Sequence, residues 1–117
     1  MERRLCLSAI YGTVTGVRLR RLPEFLEWLS GLSARSRAQV EARLLRIQES
    51  EHFGDARYLG DGLAELRWKS GIRVYFAKIE DREGKAVLLI LGGTKNGQKK
   101  DISKTRLLLR RYTVEAP

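Results

Sequence analysis

The feature that most constrains the fold is the alternation of charged and apolar side chains along two neighbouring segments, residues 63–69 and 73–79. A period of two is typical of β-strands that bury one face. The intervening residues 70–72 include Gly71 and suit a three-residue hairpin loop, because glycine adopts the backbone conformation that such loops need. A two-stranded hairpin is not stable alone in water, so other elements must cover its apolar side.

The loop determines which side chains lie opposite each other across this hairpin. With residues 70–72 as the loop, Lys69 is expected opposite Arg73, and Trp68 lies on the other side with Val74. A two-residue loop would place Arg73 beside Trp68 and bury a charge next to the core, so the alternation favours the longer loop. The remaining expected pairs are Arg67 with Tyr75, Glu65 with Ala77, and Leu66 with Phe76.

Two helices are predicted before the hairpin, joined by a short turn that makes them antiparallel. Pro23 suits the first turn of a helix that ends near Gly31, and Ser33 can cap a second helix. Apolar residues recur at helical spacing and are interpreted as core: Phe25, Trp28, Leu29, Leu32, Val40, Leu44 and Ile47. Charged residues of the second helix are expected on its other faces: Arg35, Arg37, Glu41, Arg43 and Arg46.

The remaining segments complete an α+β domain. Residues 14–20 suit a short first strand, residues 53–62 an ordered loop, and residues 86–91 a further strand, and a C-terminal helix is expected from Gln98. The order β-α-α-β-β-β-α predicts a mainly antiparallel four-stranded sheet with the N-terminal helical hairpin on one face and a C-terminal helix. We expect the helices to cover a single face of this sheet.

The length of 117 residues supports one domain rather than two. We assign residues 14–113 to this domain, residues 1–13 to an N-terminal extension of uncertain structure, and residues 114–117 to a tail. The sequence contains no internal repeat, low-complexity segment or linker that would argue for another division.

Charge indicates the class of partner. The chain has 23 Lys and Arg against 14 Asp and Glu, a formal net charge of +9, which favours an anionic partner such as nucleic acid, an anionic membrane or an acidic protein. The positive charge is concentrated after residue 94, whereas residues 22–62 are slightly acidic. The basic residues of this C-terminal part are Lys95, Lys99, Lys100, Lys104, Arg106, Arg110 and Arg111. Such a local excess is what a binding face requires.

Several residue types are too rare for some classes of site. The single cysteine, Cys6, excludes an intramolecular disulfide and favours a cytoplasmic location. The single histidine, His52, excludes a two-histidine ribonuclease mechanism and argues against a multi-histidine zinc site, so no metal or other cofactor is expected. The longest apolar run, residues 86–91, is far shorter than a membrane-spanning helix, and no membrane partner is expected.

Short motifs in a fixed order carry a family resemblance over about residues 17–112. They are Pro23-Glu24-Phe25, Trp28-Leu29, Phe53-Gly54-Asp55, Gly60-Asp61-Gly62, Glu65-Leu66-Arg67, Arg73-Val74-Tyr75-Phe76, Leu91-Gly92-Gly93-Thr94-Lys95, Gln98, Lys100, Asp101 and Ile102. With these motifs the chain resembles the RelE/ParE superfamily of toxins, in particular its HigB-like branch of addiction module killer proteins.

The resemblance implies both an activity and partners. It implies the toxin of a bacterial type II toxin–antitoxin system that acts as a ribosome-dependent mRNA endonuclease, or mRNA interferase, and so inhibits translation. It also implies a cognate antitoxin encoded beside it, in this branch often a helix-turn-helix protein. The expected partners are therefore this antitoxin and mRNA on the ribosome.

The sequence departs from the family pattern at three positions. Family members have a Gly-x-Gly-Tyr-Arg type of turn before the third strand, whereas this chain has a shorter turn with Ile72 at the place of the tyrosine. RelE-type nucleases have a lysine, proposed as the base, just before the Leu-Arg pair and a tyrosine in the C-terminal segment. Glu65 and Asp101 stand at those places here, so the chemistry of this branch can differ.

RNA cleavage without a metal needs a base for the 2′-hydroxyl, cations for the charge that develops on the phosphate, and an acid for the leaving oxygen. Arg67 and Arg73 are the candidate cations, because a guanidinium binds two phosphate oxygens in a fixed geometry. The resemblance adds Lys95 as an active-site cation. Glu65 and Asp101 are the carboxylates expected to face these cations, which would keep both ionised and able to accept a proton. The alternative is a solvated strand face with Glu65 as an ion-pair partner.

A second set of residues is expected to bind RNA. Tyr75 is a candidate for stacking on an unpaired base, although a purely structural role suits it equally. The basic candidates for phosphate contacts are Lys69, Lys99, Lys100 and Lys104. For the C-terminal lysines, a solvated helix face that attracts an acidic antitoxin is the alternative.

Two other functions stay open on the same fold. One is a ParE-like inhibitor of DNA gyrase, which is not a nuclease. The other is a non-toxic module that binds an antitoxin or nucleic acid, and the presence of Ile72 and Glu65 at departing positions is consistent with it.

Overall fold

The computed structural model describes residues 16–115. The expected extension 1–13 and the first two residues of the expected strand 14–20 lie outside this range, as do residues 116 and 117 of the expected tail. The elements within it are β1 (Arg18–Arg21), α1 (Pro23–Ser30), α2 (Ala34–Ser50), β2 (Ala56–Gly60), β3 (Leu63–Arg67), β4 (Ile72–Asp81), β5 (Gly84–Thr94) and α3 (Gln98–Glu115). A single turn of 3-10 helix, Lys95–Gly97, joins β5 to α3.

The strands form one sheet in the order β1-β5-β4-β3-β2, in which β1 runs parallel to β5 and all other neighbours are antiparallel. The expected α+β class and mainly antiparallel sheet are confirmed. The expected number of four strands is wrong, because β2 lies in the segment 53–62 that we expected to be a loop. Its first three residues are exposed and its apolar residues do not alternate, so the sequence carries no strand pattern there.

The β3–β4 hairpin has the expected faces but not the expected register. The structure pairs Arg67 with Arg73 and Glu65 with Tyr75, a displacement of two residues from the predicted pairs. The loop still has three residues, but they are 69–71, because Trp68 N–H donates to the Ile72 carbonyl (3.0 Å). Gly71 has φ +106° and therefore stands third in the loop, where a three-residue hairpin loop needs a left-handed residue.

The two N-terminal helices confirm the expected hairpin. Ser33 caps α2, and its hydroxyl accepts a hydrogen bond from Ser36 N–H (3.1 Å). The predicted core residues of this hairpin lie within one apolar cluster with the inner face of the sheet. Arg43 is the exception to the predicted surface positions, because its residue is only 7% exposed.

Helices cover both faces of the sheet rather than the single face that we expected. On one face, α1 and α2 pack on Val74, Phe76 and Leu89. On the other face, α3 packs through Leu108 on a cluster that includes Leu88, together with Tyr75, Ala77, Ile90 and Leu91. The central strands β4 and β5 are apolar on both sides, and such strands need cover on both sides. The helix α3 also continues through Val114 and Glu115, which we assigned to the tail.

Two adjacent glycines at the end of β5 allow different elements to approach the sheet from opposite faces. A Cβ atom on Gly92 would overlap the indole ring of Trp28 from α1. A Cβ atom on Gly93 would overlap the carboxylate of Asp101 from α3. Gly93 therefore allows the first turn of α3 to place a carboxylate directly on the sheet surface.

Candidate active site

Strand pairing brings the candidate catalytic residues together on the α3 face of the sheet, beside the first turn of α3. Arg67 lies opposite Arg73, which in turn lies opposite Gly93, and Glu65 lies opposite Tyr75 one step along the strands. Paired residues of neighbouring strands have Cα atoms about 4.5–5.5 Å apart. We call Arg57, Glu65, Arg67, Arg73, Tyr75 and Asp101 the charged cluster.

Glu65 is the fully buried carboxylate of this cluster, with no exposed surface. Its Oε1 accepts a hydrogen bond from Gln98 Nε2 (2.6 Å), and its Oε2 lies 3.3 Å from Arg57 Nε. Arg57 is the residue opposite Glu65 on β2. A buried carboxylate is costly unless it is paired, so both partners stabilise the charge at this position.

Tyr75 is fully buried, so its ring cannot stack on an RNA base as we expected. Its hydroxyl is also buried and has no hydrogen-bond partner in the described part of the chain. Burial, together with the negative charges of Asp101 and Glu65, raises the pKa of Tyr75 to about 12, and the charge of Arg73 only partly offsets this. The hydroxyl therefore keeps its proton at neutral pH and remains a hydrogen-bond donor.

Arg67 and Arg73 are half-buried, and neither forms a bidentate ion pair with a carboxylate of residues 16–115. Arg67 Nε lies 3.5 Å from Asp55 Oδ2, and Arg73 Nη1 donates to the carbonyls of Trp68 (3.2 Å) and Ile72 (3.0 Å). The sheet thus places the two arginines on directly paired positions of neighbouring strands. Directly opposed like charges repel, and a bound anion would relieve that repulsion.

Asp101 stands at the start of α3 with its carboxylate on the Gly93 backbone. Burial raises the pKa of Asp101, and the charges of Lys100 and Lys104 oppose that shift without cancelling it. We expected nearby positive charge to keep Asp101 ionised, and Lys100 and Lys104 act in that direction although burial outweighs them. A carboxylate with a raised pKa is a better proton acceptor than an ordinary one.

The charged cluster contains buried polar atoms that have no hydrogen bond. Among residues 16–115, the buried side-chain atoms without a hydrogen bond are Glu65 Oε2, Arg67 Nε, Arg73 Nε and Tyr75 Oη. Two of them, Glu65 Oε2 and Arg67 Nε, have only an ion-pair neighbour at 3.3 and 3.5 Å. Folded proteins leave few such atoms, so four in one cluster indicate a site built for a ligand or for chemistry.

The remaining candidates surround this cluster without entering it. Lys95 is exposed, and its backbone N–H donates to the Gly71 carbonyl (2.8 Å). The aliphatic part of its side chain lies on Gly71 at the hairpin end of the cluster. Lys69 is exposed in the β3–β4 loop. Lys99, Lys100 and Lys104 are exposed on the first turns of α3, close to Asp101. Their roles in RNA binding stay predictions.

Three residues at or next to the site were missed at the level of sequence. Arg57 was missed because its segment has no strand pattern, and only strand pairing shows that it faces Glu65. Gln98 appears in the family motifs but had no assigned role. Arg43 of α2 donates to the carbonyls of Phe53 (2.9 Å), Asp55 (2.7 Å) and Arg67 (2.5 Å), and so ties the loop before β2 to the end of β3.

Residues 16–115 contain no group of three or more His, Cys, Asp or Glu side chains placed to hold a metal ion. Within the same residues, no helix has the length and apolarity needed to cross a bilayer.

Comparisons with known proteins place the fold. No protein-family model matches the sequence. Free RelE toxin of Escherichia coli, in a form with two arginines replaced by alanine, superposes with a TM-score of 0.62 at 17% identity, covering 83% of this chain and 98% of that one. The chain has the RelE-like fold. A second E. coli RelE structure gives a TM-score of 0.56 at 17% identity, covering 75% of this chain and 97% of that one.

Two more proteins extend the comparison. The RelE-like fold is also found in the toxin–antitoxin complex RelBE2 of Mycobacterium tuberculosis, with a TM-score of 0.51 at 16% identity, 70% coverage of this chain and 94% of that one. In sequence, the chain is 37% identical over 95 residues to an uncharacterized protein of Haemophilus influenzae. The matched region covers 79% of this chain and 92% of the relative. The two chains belong to one family. The resemblance to RelE/ParE proteins is confirmed at the level of fold, and the HigB-like branch stays a prediction.

Proposed function

We propose that this chain is the toxin of a toxin–antitoxin pair and that it cleaves mRNA on the ribosome without a metal ion. The observation that carries this proposal is the charged cluster, in which four buried polar atoms have no hydrogen bond and the half-buried Arg67 and Arg73 lie on paired positions without a bidentate carboxylate partner. A phosphodiester can bind such a pair of arginines. The RelE toxins that share the fold support the toxin assignment, and the family resemblance supports the ribosome as the place of action.

Each catalytic task has a candidate residue in this arrangement. The 2′-hydroxyl of one nucleotide attacks the adjacent phosphorus and passes its proton to the Asp101 carboxylate, whose raised pKa suits this role. A new bond forms between O2′ and phosphorus while the bond from phosphorus to the 5′-oxygen breaks. The leaving 5′-oxygen takes a proton from the ammonium of Lys95, the exposed donor at the hairpin end of the cluster.

The arginines and the buried residues hold the reacting groups. Arg67 and Arg73 bind the nonbridging phosphate oxygens and stabilise the charge that grows on them. Glu65 is held by Gln98 and Arg57, and Tyr75 keeps its proton. Because both side chains are fully buried, we assign Glu65 and Tyr75 as positioning residues. The surface lysines of α3 add sequence-independent affinity for phosphates.

We further propose a cognate antitoxin as partner, of the helix-turn-helix type that the family resemblance implies. The M. tuberculosis protein with this fold is a toxin–antitoxin complex, which supports a protein partner of this kind. The net charge of +9 favours a partner with an acidic binding segment.

The test is mRNA cleavage by the purified protein on translating ribosomes. We expect cleavage by the natural chain and a loss of at least about 100-fold with Arg73→Ala, the range found when one preorganised charge-stabilising donor is removed. Arg82→Ala is the matched control, because Arg82 is an exposed arginine in the β4–β5 turn. Thermal unfolding of each variant verifies its fold. Intact message at excess protein, or full cleavage by a folded Arg73→Ala variant, contradicts the proposal.

A further inference from the structure

We propose that a second cationic pocket, formed by Arg46, His52 and Lys69 above Arg43 and Trp68, binds the RNA backbone next to the cleaved phosphate. The proposal rests on the function proposed above and adds a separate phosphate subsite to it. We call these five residues the flanking pocket. Arg46, His52, Arg43 and Trp68 are not among the residues that the sequence predicted to bind RNA.

The flanking pocket lies between three segments: the C-terminal half of α2, the loop before β2, and the tip of the β3–β4 hairpin. The cavity has a volume of about 330 Å³. This size is at the lower end of the range of about 300–1,000 Å³ found for ligand pockets. It has space for a phosphate and part of a nucleotide.

The cavity and the charged cluster meet at the end of β3. Arg67 lines the cavity and also stands opposite Arg73 in the cluster. Asp55, which lies 3.5 Å from Arg67 Nε, lines it as well. Trp68 packs on the α1/α2 side of the sheet, whereas the charged cluster lies on the α3 face. An RNA strand whose scissile phosphate lies at Arg67 and Arg73 would therefore reach the flanking pocket by passing the end of β3.

Positive charge dominates the lining. Four of the lining residues are Arg or Lys, and Asp55 is the single carboxylate among them. Burial lowers the pKa of Arg43, and the nearby charge of Arg46 lowers it further against the opposing effect of Asp55. The guanidinium groups of Arg43 and Arg46 therefore repel each other, and a bound phosphate would remove this penalty.

The exposed residues of the pocket have unused donors. Within residues 16–115, the side chains of Arg46, His52 and Lys69 form no ion pair and no hydrogen bond. His52 follows the left-handed residue Glu51 (φ 56°) that ends α2, so its ring belongs to the loop and not to the helix. Donors on an arginine, a lysine and a histidine fit a phosphodiester oxygen better than an apolar group.

The floor of the pocket is rigidly built. Arg43 lies 4.5 Å from the centre of the Trp68 ring and donates hydrogen bonds to three carbonyls. Gly54 has φ +73°, and a Cβ atom there would lie 3.0 Å from Arg43 Nη2. Glycine at this position thus allows the loop to pack on the guanidinium of Arg43. This packing fixes the floor of the cavity in the absence of a ligand.

The test is binding of a single-stranded RNA of about ten nucleotides in which every 2′-hydroxyl is methylated, so that it cannot be cleaved. Fluorescence anisotropy compares the natural chain with the double variant Arg46→Ala, Lys69→Ala. We expect affinity to fall at least tenfold, and the slope of log K against log salt to fall by about 1.4, because each phosphate contact on a single strand contributes about 0.7. A three-nucleotide RNA, too short to reach both sites, should show a much smaller loss.

The control is the double variant Arg35→Ala, Arg82→Ala, which removes the same charge from exposed positions outside the cavity. Unchanged binding by the pocket variant, or an equal loss in the control, overturns the flanking pocket. The flanking pocket is also overturned if the pocket variant binds this RNA as well as the natural chain does and loses affinity only for an acidic protein partner. The methylated RNA cannot be cleaved, so its binding is independent of catalysis. If the natural chain binds it through Arg46 and Lys69 but fails to cleave message, the nuclease proposal is contradicted and the flanking pocket is not.

Discussion

The buried arginine of α2 gives the most quantitative prediction for stability. Replacing Arg43 by methionine keeps an unbranched side chain in the space beside Trp68 but removes three hydrogen bonds from a charged donor. Such bonds contribute about 1.5 kcal/mol each at the low end of the measured range. The contact of the guanidinium with the Trp68 ring at 4.5 Å adds about 0.5–1 kcal/mol.

Part of this loss is recovered. The buried guanidinium is itself costly to remove from water, and its replacement by an apolar group returns about 2 kcal/mol. The net expectation for Arg43→Met is therefore a loss of about 3 kcal/mol in the free energy of unfolding. For a domain of this size, about 4 °C of Tm is lost per kcal/mol, so the Tm should fall by about 12 °C.

The assay is urea and thermal unfolding followed by circular dichroism. Arg35→Met is the matched control on the same helix, because Arg35 is exposed, and its effect should be within about 0.5 kcal/mol. Arg43→Lys should restore only part of the stability, since one ammonium cannot reach three carbonyls in the geometry of a guanidinium. A loss below about 0.5 kcal/mol for Arg43→Met would refute the idea that Arg43 holds the loop before β2 on β3.

Three more predictions concern the charged cluster and its surroundings. Gly93→Ala should displace the carboxylate of Asp101, cost about 1–3 kcal/mol in unfolding experiments and lower cleavage, whereas Gly31→Ala, whose added Cβ meets only ordinary contacts, should leave cleavage unchanged. Because the fold raises the pKa of Asp101, the charged form of this residue destabilises the native state, and Asp101→Asn should be more stable than the natural chain at pH 7. Urea titrations should show this advantage vanish below about pH 4, where the carboxyl is protonated in both states. An advantage that grows in acid would have the wrong sign. The double variant Lys99→Ala, Lys100→Ala should reduce the salt slope of RNA binding by about 1.4, and an unchanged slope would assign these lysines to another partner.

Sequence alternation predicted which side chains share a face of the hairpin, because a displacement by two residues preserves the faces of a strand. It did not predict which residues pair, since the position of Gly71 in the loop decides the register. Arg67 is therefore opposite Arg73 and not opposite Tyr75. The charged side of the hairpin could be predicted, but the pairing of the two arginines could not.

Helical periodicity predicted the core of α1 and α2 but misplaced Arg43. Periodicity reports which face of a helix is apolar and gives no information on a distant carbonyl that can accept from a buried guanidinium. The carboxylate of Asp101 on Gly93 likewise depends on how α3 packs across the sheet. Both contacts join residues of different secondary-structure elements, so the pattern within one element cannot show them.

The chemical form of the RNA ends shows whether cleavage follows the proposed metal-free route. The proposed reaction joins O2′ to phosphorus and releases the 5′-oxygen without a metal. Protein that has been treated with EDTA should therefore cleave message on translating ribosomes at the same rate as untreated protein. Its products should carry 2′,3′-cyclic phosphate and 5′-hydroxyl ends, and Asp101→Asn should slow their formation. Fragments with 5′-phosphate ends, or activity that is lost when the protein is treated with EDTA, would contradict the proposed reaction.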